Sequence, residues 1–331
     1  MSTTTQSQQL RRISSFAPAD MLRFFWEQNR TMTILFFASF ITMVGAFIGM
    51  AVDPRMVLEQ STWTKTAKFS ISFMFYAPTM IWMFSYLERP RIKGFVLHGT
   101  AALLLVELAL IVIQGMRGER MHFNYTSPLN ATLYNIMTVS IIIFYIVSII
   151  GGIFLVMTRL TDRTYTWSMR TGMVLMLIGF GLGFLMTGPS ADQMAVFESG
   201  GTPDFIGAHT VGAPDGSAGI PFFGWSVNYG DLRIAHFIGI HGAQFMLLVG
   251  WLVMSGGVRF GWSERTRLSL VWGAALSYGG LVTLVTWQAL RGQSLIQPDA
   301  LTLWAFAGLI VFAVVFNGGA VAINRPQPAV A

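Results

Sequence analysis

Residues 229–251 combine titratable side chains with enough apolar length to cross a bilayer. The polar side chains of this segment are Arg233, His236, His241 and Gln244. On a helix that turns about 100° per residue, these four side chains fall within an arc of about 140°. Because ionisable groups inside a membrane span are costly, this arrangement indicates a functional site.

Other polar side chains are expected at the same depth, near the outer ends of neighbouring spans. They are Lys68, Glu107, Gln114, Arg117 and Arg291. We expect Lys68 to pair with Glu107, because an unpaired carboxylate in hydrocarbon is costly. Lys65 lies close to Lys68, but its side chain, like those of Arg55 and Arg120, is expected to extend to lipid phosphates.

This set of side chains contains more cations than acids and therefore suits an anion. Together, Lys68, Glu107, Gln114, Arg117, Arg233, His236, His241, Gln244 and Arg291 form the candidate ligand-binding or proton-coupling set. The first hypothesis is a transporter or binding protein for a small anionic or lipidic ligand that enters from the outer side. Histidine titrates near neutral pH, so the histidines and the acid would also allow proton coupling.

Two alternatives use the same residues. In the second hypothesis the chain is a membrane-embedded enzyme, with His236, His241 and Glu107 as metal ligands or as acid and base. Two histidines five residues apart lie about 140° apart on a helix, so a metal would need further ligands from another span. Haem is the third hypothesis, and it is disfavoured because His98 is expected near the inner face, far from His236.

The composition is that of an all-α polytopic membrane protein. Of the 331 residues, 53% are hydrophobic and 11% are charged, whereas soluble domains carry about 25% charged residues. Eight apolar stretches approach the roughly 20 residues of a spanning helix, and backbone groups in lipid must be satisfied within such helices. The predicted spans are 31–52, 69–87, 94–116, 131–158, 167–188, 232–256, 266–290 and 300–323.

The basic residues predict an orientation for these spans. Fourteen of the 21 Lys and Arg residues fall on one side, and the positive-inside rule makes that side cytoplasmic. Both termini are then inside, as in a bacterial inner-membrane protein, and the basic charge implies no nucleic acid. The chain has no cysteine, which excludes disulfides and thiolate metal sites.

Short matches between the two halves of the chain predict an internal duplication of four spans each. The basic-x-Ala-basic-Phe pattern at 65–69 returns at 233–237 with histidine in its fourth position, and Gln-x-x-Arg-Gly at 114–118 returns at 288–292. Gly45 and Gly49 correspond in the same way to Gly179 and Gly183. The pattern predicts two parallel four-helix halves, as in transporters with parallel repeats.

The predicted organisation follows from these halves and from one long loop. It comprises a cytoplasmic tail with an interfacial helix at 1–30, a first half at 31–158, a second half at 159–323 and a cytoplasmic tail at 324–331. The second half contains a Gly- and Pro-rich outer loop at 189–231. A loop of this length is expected to be either a functional lid or a solvated connector.

Three segments, 63–70, 117–124 and 231–244, resemble a family of bacterial multi-pass membrane proteins without an assigned activity. One shared element is Arg-Gly followed by His-Phe-Asn, here Arg117, Gly118, His122, Phe123 and Asn124. A second is a Lys-Phe-x-x-Ser element, which falls at residues 68–72. The resemblance implies a multi-pass membrane protein and transfers no substrate or cofactor.

Overall fold

The computed structural model describes residues 18–160 and 162–323, and this part of the chain is built from eleven α-helices. The predicted tails at 1–17 and 324–331 lie outside the described residues. In chain order the helices are α1 (Pro18–Gln28), α2 (Arg30–Val52), α3 (Thr64–Ser85), α4 (Pro90–Arg117), α5 (Pro128–Met157), α6 (Arg163–Leu182), α7 (Ala191–Glu198), α8 (Leu232–Ile240), α9 (Gly242–Phe260), α10 (Glu264–Leu290) and α11 (Ala300–Ile323). A 3₁₀ turn, Gly183–Met186, extends α6.

Seven of the described helices are long and apolar enough to cross a membrane, in agreement with a multi-pass membrane protein. They are α2, α4, α5, α6 with its 3₁₀ turn, α9, α10 and α11. Helix α3, which contains most of the predicted span 69–87, does not meet that test. The reason is visible in its first turns, where lysine and threonine replace apolar residues and the helix begins at Thr64.

The predicted span 232–256 is not one continuous helix. Helix α8 ends at Ile240 and α9 begins at Gly242, with His241 between them at φ −87° and ψ 4°. The His241 amide donates to the carbonyl oxygen of Ile238, three residues back, at 3.2 Å. The tighter turn occurs where this segment crosses α6: a Cβ on Gly239 would lie 2.5 Å from the Cα of Gly179.

The helices pack in two groups that follow the chain. In the first, α2 and α4 both contact α3 and each other, and α5 packs on α4. In the second, α6 contacts α8, α9 and α10, while α11 packs on α10. Contacts between α5 and α6 join the two groups.

The long loop is folded onto the helices by backbone hydrogen bonds. Its strand β3 (Thr210–Val211) pairs antiparallel with β4 (Gly230–Asp231), directly before α8. An earlier hairpin, β1 (Met56–Val57) with β2 (Gln60–Ser61), lies between α2 and α3. The Tyr125 amide donates to the Asp204 carbonyl at 2.8 Å, and the Leu232 amide donates to the His209 carbonyl at 3.0 Å. These bonds hold the loop over the ends of the helices.

Candidate functional site

A cavity of 1410 Å³ lies between the two helix groups, beneath the long loop. Residues of every helix from α3 to α10 line it, together with residues of the loops between them. Aromatic rings form much of its wall: Tyr76 packs on Phe144 with ring centres 5.7 Å apart, and Phe144 packs on Phe180 at 5.1 Å. The cavity therefore combines an apolar wall with polar side chains from several elements.

Of the nine predicted site residues, the structure brings six to this cavity. They are Lys68, Glu107, Arg233, His236, His241 and Gln244. Lys65 joins them, and it does not lie at a lipid-facing end as the sequence suggested. Arg55 is instead held by Asp53 at 2.7 Å, and the Arg120 guanidinium lies 3.9 Å from the ring centre of Phe205.

Three cations form a cluster, with Lys65 and Lys68 at the start of α3 and Arg233 at the start of α8. The Lys68 ammonium donates to the carbonyl oxygen of Phe223 at 2.9 Å and to the Gln60 side chain at 3.3 Å. Arg233 forms a two-pronged pair with the buried Asp231 and donates to the carbonyl oxygen of Gly224 at 2.5 Å. Two carbonyl groups of the long loop thus lie against these cations.

Lys65 is the cation of this cluster whose ammonium has no hydrogen-bond partner among the described residues. The side chain is half-buried and lines the cavity. The charged groups that act on it are Arg233, Lys68, Asp215 and Glu107. An ammonium that lines a cavity without an acceptor is a ready site for an anionic group.

The expected pair of Lys68 with Glu107 is not formed. Glu107 is 1% exposed, and its Oε1 lies 3.9 Å from Nε2 of His122, on the loop after α4. The other oxygen, Oε2, has no hydrogen-bond partner among the described residues. Lys68 lies against the loop carbonyls instead, which leaves this buried carboxyl group directed at the cavity without a cation bonded to it.

His122 is one of the cavity residues that the sequence did not single out as a site residue. Burial, together with the nearby charge of Lys65, lowers the pKa of His122 well below its usual value. The ring is therefore neutral at physiological pH, and its Nε2 lies beyond direct hydrogen-bond distance of Glu107. The signal in the sequence was its place in the Arg-Gly and His-Phe-Asn element.

His209 and Asp215 form a second pair, which sequence reasoning also missed. Nδ1 of His209 lies 2.5 Å from Oδ2 of Asp215, and both side chains are nearly buried. The backbone amides of His209 and Thr210 donate to Oδ1 of the same carboxylate at 2.9 and 3.0 Å. Burial lowers the pKa of His209 to about 4. Although burial opposes it, the hydrogen bond from His209 lowers the pKa of Asp215.

The two histidines of the predicted polar helix have separate surroundings. Nδ1 of His236 hydrogen bonds to the carbonyl oxygen of Gly179 at 2.8 Å, which fixes the ring against α6. The ring of His241 packs edge-on against Phe237 with centres 4.7 Å apart. Among the described residues, no group of three or more His, Asp or Glu side chains could hold a metal ion.

The other three predicted site residues lie outside the cavity, where their hydrogen bonds stabilise the turns between two pairs of helices. They are Gln114, Arg117 and Arg291. The Gln114 amide donates to the Arg120 carbonyl at 3.2 Å, and the Gln288 amide donates to the Ser294 carbonyl at 2.7 Å. Arg117 donates to Asn130 at 2.8 Å, in the first turn of α5, and Arg291 donates to Thr302 at 3.2 Å, in the first turn of α11.

The turns at these two junctions have the same backbone geometry. Gly118 and Gly292, which follow the two arginines, have φ values of 70° and 72°. The amide of Gly118 donates to the carbonyl of Gly115 at 3.1 Å, and that of Gly292 donates to the carbonyl of Ala289 at 2.9 Å. Glycine adopts positive φ without the steric penalty of other residues, which accounts for its place in both turns.

In comparisons with known proteins, no family model, no curated protein and no solved structure matches the chain.

Proposed function

We propose that the chain is a membrane-embedded transporter or binding protein for an anionic ligand that carries an apolar part. The observation that carries this proposal is the Lys65 ammonium, which lines the cavity without a hydrogen-bond partner among the described residues. An anionic group beside it would satisfy the ammonium at the charged end of a mainly aromatic space. Ligand pockets usually measure about 300–1,000 Å³, so a cavity of 1410 Å³ leaves room for an acyl chain.

The arrangement of the helices supports the proposal of two four-helix halves with α3 as the eighth span. The packing order of α2 to α5 is repeated by α6, α8 with α9, α10 and α11. The turns after Gln114 and Gln288 repeat the same hydrogen bonds. In transporters built from parallel repeats, the substrate site lies between the halves, on interrupted helices. The cavity and the break at His241 fit that pattern.

The proposed setting is a bacterial inner membrane, with both termini in the cytoplasm and the cavity in the outer half of the bilayer. The distribution of basic residues supports this orientation. The expected partners are membrane lipids and the anionic ligand, and the orientation accounts for the basic charge without nucleic acid. A ligand would then enter from the outer side, where the loop 187–229 covers the cavity.

The same loop is proposed to act as a lid. Its carbonyl oxygens at Phe223 and Gly224 accept hydrogen bonds from Lys68 and Arg233. An anion is a stronger acceptor for these cations than a neutral carbonyl. Binding of the ligand would therefore replace the lid contacts and couple occupancy of the cavity to movement of the loop.

Proton coupling would use Glu107 and His122. The carboxyl group of Glu107 is buried and has one oxygen without a partner in the described part of the chain. An anion at Lys65 changes the charge nearest to this carboxyl group, so binding would alter its protonation. The 3.9 Å separation between Oε1 of Glu107 and Nε2 of His122 leaves a bridging water as the route to the loop.

A ligand pair that differs only in charge tests the proposal. Purified protein in nanodiscs should bind a fluorescent long-chain fatty acid, and it should bind the methyl ester of that acid at least ten times more weakly. Lys65→Gln should remove this preference for the acid, and Lys65→Arg should keep it. Lys93→Gln is the matched control, since Lys93 bonds to Gln28 at 2.6 Å and does not line the cavity.

Further probes in the same assay separate the sources of the anion. A lysophosphatidic acid tests for a lipid headgroup, and succinate tests for a small anion without an apolar part. Counterflow of the bound probe in proteoliposomes distinguishes transport from binding alone. Equal binding of the acid and its ester would contradict the proposed function.

A membrane-embedded enzyme remains the second candidate, and one observation favours it. Its predicted metal site at His236, His241 and Glu107 does not form as a three-residue group in the described structure. The observation that favours it is His209, which lines the same cavity and lies 2.5 Å from Asp215, an arrangement that supports acid–base chemistry.

A further inference from the structure

The carboxylate of Asp215 makes three hydrogen-bond contacts with His209 and Thr210. Two backbone amides fix one of its oxygens, and the other oxygen meets Nδ1 of His209. A carboxylate held in this way keeps the proton of a neutral histidine on Nδ1, which leaves Nε2 as the basic atom. The arrangement sets both the tautomer and the direction of the ring.

The basic nitrogen of His209 is available to a molecule in the cavity. Nε2 has no hydrogen-bond partner in the described ranges, and the residue lines the cavity. The ring packs on Phe123 with centres 5.0 Å apart. Phe123 has a φ of 63°, which is unfavourable for a residue with a bulky side chain. Strain of this kind persists where the surroundings impose it, often at functional sites.

We propose that His209 is a general base, positioned by Asp215, that hydrolyses a carboxylic ester bound in the cavity. The substrate class is an amphiphilic ester that also carries an anionic group. This inference rests on the anion binding proposed for the lysine cluster and adds a reaction to it. Water is the co-reactant, and no cofactor or change of oxidation state is needed.

The reaction has two steps. In the first, His209 takes a proton from water, and in the second it gives this proton to the alcohol product. Nε2 of His209 takes a proton from water while the water oxygen forms a bond to the ester carbonyl carbon. The resulting oxyanion needs a positive charge nearby, and both Lys65 and Arg233 act on His209, so one cation can face the oxyanion while the other holds the anionic group of the substrate. The tetrahedral intermediate then breaks the bond to the alcohol oxygen, which takes the proton from the imidazolium.

The charged groups around His209 favour an anionic substrate. Lys65 and Arg233 act on its ring from α3 and α8, and Asp215 acts from the loop. His122 faces it from the loop after α4. The pKa of His209, lowered to about 4 by burial, keeps the ring neutral at physiological pH, so Nε2 carries a free lone pair.

The test uses the mono-p-nitrophenyl ester of dodecanedioic acid, which combines an ester, an apolar chain and a free carboxylate. Wild-type protein in nanodiscs should release p-nitrophenolate faster than protein-free nanodiscs. His209→Asn keeps a donor near the position of Nδ1, so it preserves the bond to Asp215 and removes the base. The rate constant should fall by about 10²–10⁴-fold in this variant, whereas affinity for dodecanedioate should change less than threefold.

Two further variants separate catalysis from a structural role. Asp215→Asn offers an amide N–H to Nδ1 and imposes the unproductive tautomer, so kcat should fall with little change in KM. His98→Asn is the control, because His98 bonds to Thr31 at 2.6 Å and does not line the cavity. The wild-type rate should also fall as the pH approaches 4, where His209 becomes protonated.

Two results would overturn the general-base assignment. One is wild-type activity in His209→Asn, which would mean that the pair of His209 and Asp215 only holds the loop in place. The other is tight binding of the ester without any hydrolysis, in which case the proposed binding function stands and the reaction does not. Failure of both the acid and the ester to bind would instead count against the proposed function.

Discussion

Gln114 and Gln288 make the same hydrogen bond at the ends of two different helices. Each side-chain amide donates to the carbonyl oxygen six residues further along, at 3.2 Å for Gln114 and 2.7 Å for Gln288. Both side chains are almost fully buried. Each side chain therefore adds a hydrogen bond to the turn that follows it, beside a second donor to the same carbonyl, which is Asn124 in the first turn and the Gln297 amide in the second.

Replacement of either glutamine by leucine should destabilise the protein. Each substitution removes a buried hydrogen bond while the carbonyl keeps a second donor, Asn124 for Arg120 and the Gln297 amide for Ser294, so the cost should be about 0.5–1.5 kcal/mol for each lost bond. Thermal unfolding in detergent micelles measures the loss, and Thr283→Val on the exposed face of α10 is the control. A loss confined to one of the two positions would contradict the equivalence of the two turns.

Gly179→Ala should be strongly destabilising, whereas Gly45→Ala should be tolerated. A Cβ on Gly179 would lie 2.1 Å from backbone atoms of Gly239 and Ile240, while a Cβ on Gly45 would meet no atom within 4 Å. Forcing the two helices apart should cost at least about 2 kcal/mol. The yield of folded protein and its unfolding temperature measure this difference, and equal behaviour of the two variants would argue against close packing of α6 on α8.

Gln60→Ala should loosen the lid without changing the helices. Gln60 donates to the carbonyl oxygen of Phe222 at 3.1 Å and accepts from Lys68, so its loss removes one of the ties at residues 219–226. Amide hydrogen exchange should accelerate in that segment and remain unchanged in α4. Gln28→Ala, which removes the partner of Lys93, is the control. Unchanged exchange at 219–226 would show that the loop is held elsewhere.

Stability should fall between pH 6.5 and about 4, in part because His209 is buried in its neutral form. Its pKa is lowered from 6.5 to about 4, so in this window the unfolded chain takes up a proton that the folded chain does not. The folded state therefore gains stability as the pH rises through this range, by roughly 3 kcal/mol from this residue. His122, whose pKa is also lowered, adds to the same trend.

His209→Asn should flatten this pH dependence without abolishing it. The remaining slope belongs to the other buried histidines. Chemical unfolding in micelles at pH 4.5 and pH 7 measures the difference between the variant and the wild type. An identical slope in the two proteins would mean that His209 is accessible to protons in the folded state.

The helical framework was predictable because apolar length alone largely determines it. Each of the eight predicted apolar stretches overlaps a described helix. The segment 232–256 was predicted as one helix, and the interruption at His241 was missed. That break depends on the crossing with Gly179, a tertiary contact that periodicity does not report. The start of α3 was also misplaced, since Lys65 and Lys68 lowered the apolarity of its first turns.

The candidate site was predictable where its residues lie on helices and was missed where they lie on loops. Arg233 and His236 share a helix face that can be drawn from spacing alone. His209 and Asp215 meet through a turn in a Gly- and Pro-rich segment, which has no periodicity to show that they are close. The predicted bond between Lys68 and Glu107 is not formed, because the carbonyl oxygen of Phe223 in the long loop accepts from Lys68 instead.

The break at His241 makes the two sides of the cavity unlike each other. Helix α3 runs without interruption from Thr64 to Ser85, while its counterpart in the proposed duplication, α8 with α9, turns sharply at His241. On α4, the buried acid Glu107 likewise corresponds in the proposed duplication to an apolar residue, Leu281 on α10. A molecule that spans the cavity contacts different side chains at its two ends. One orientation is therefore more stable than the reverse one.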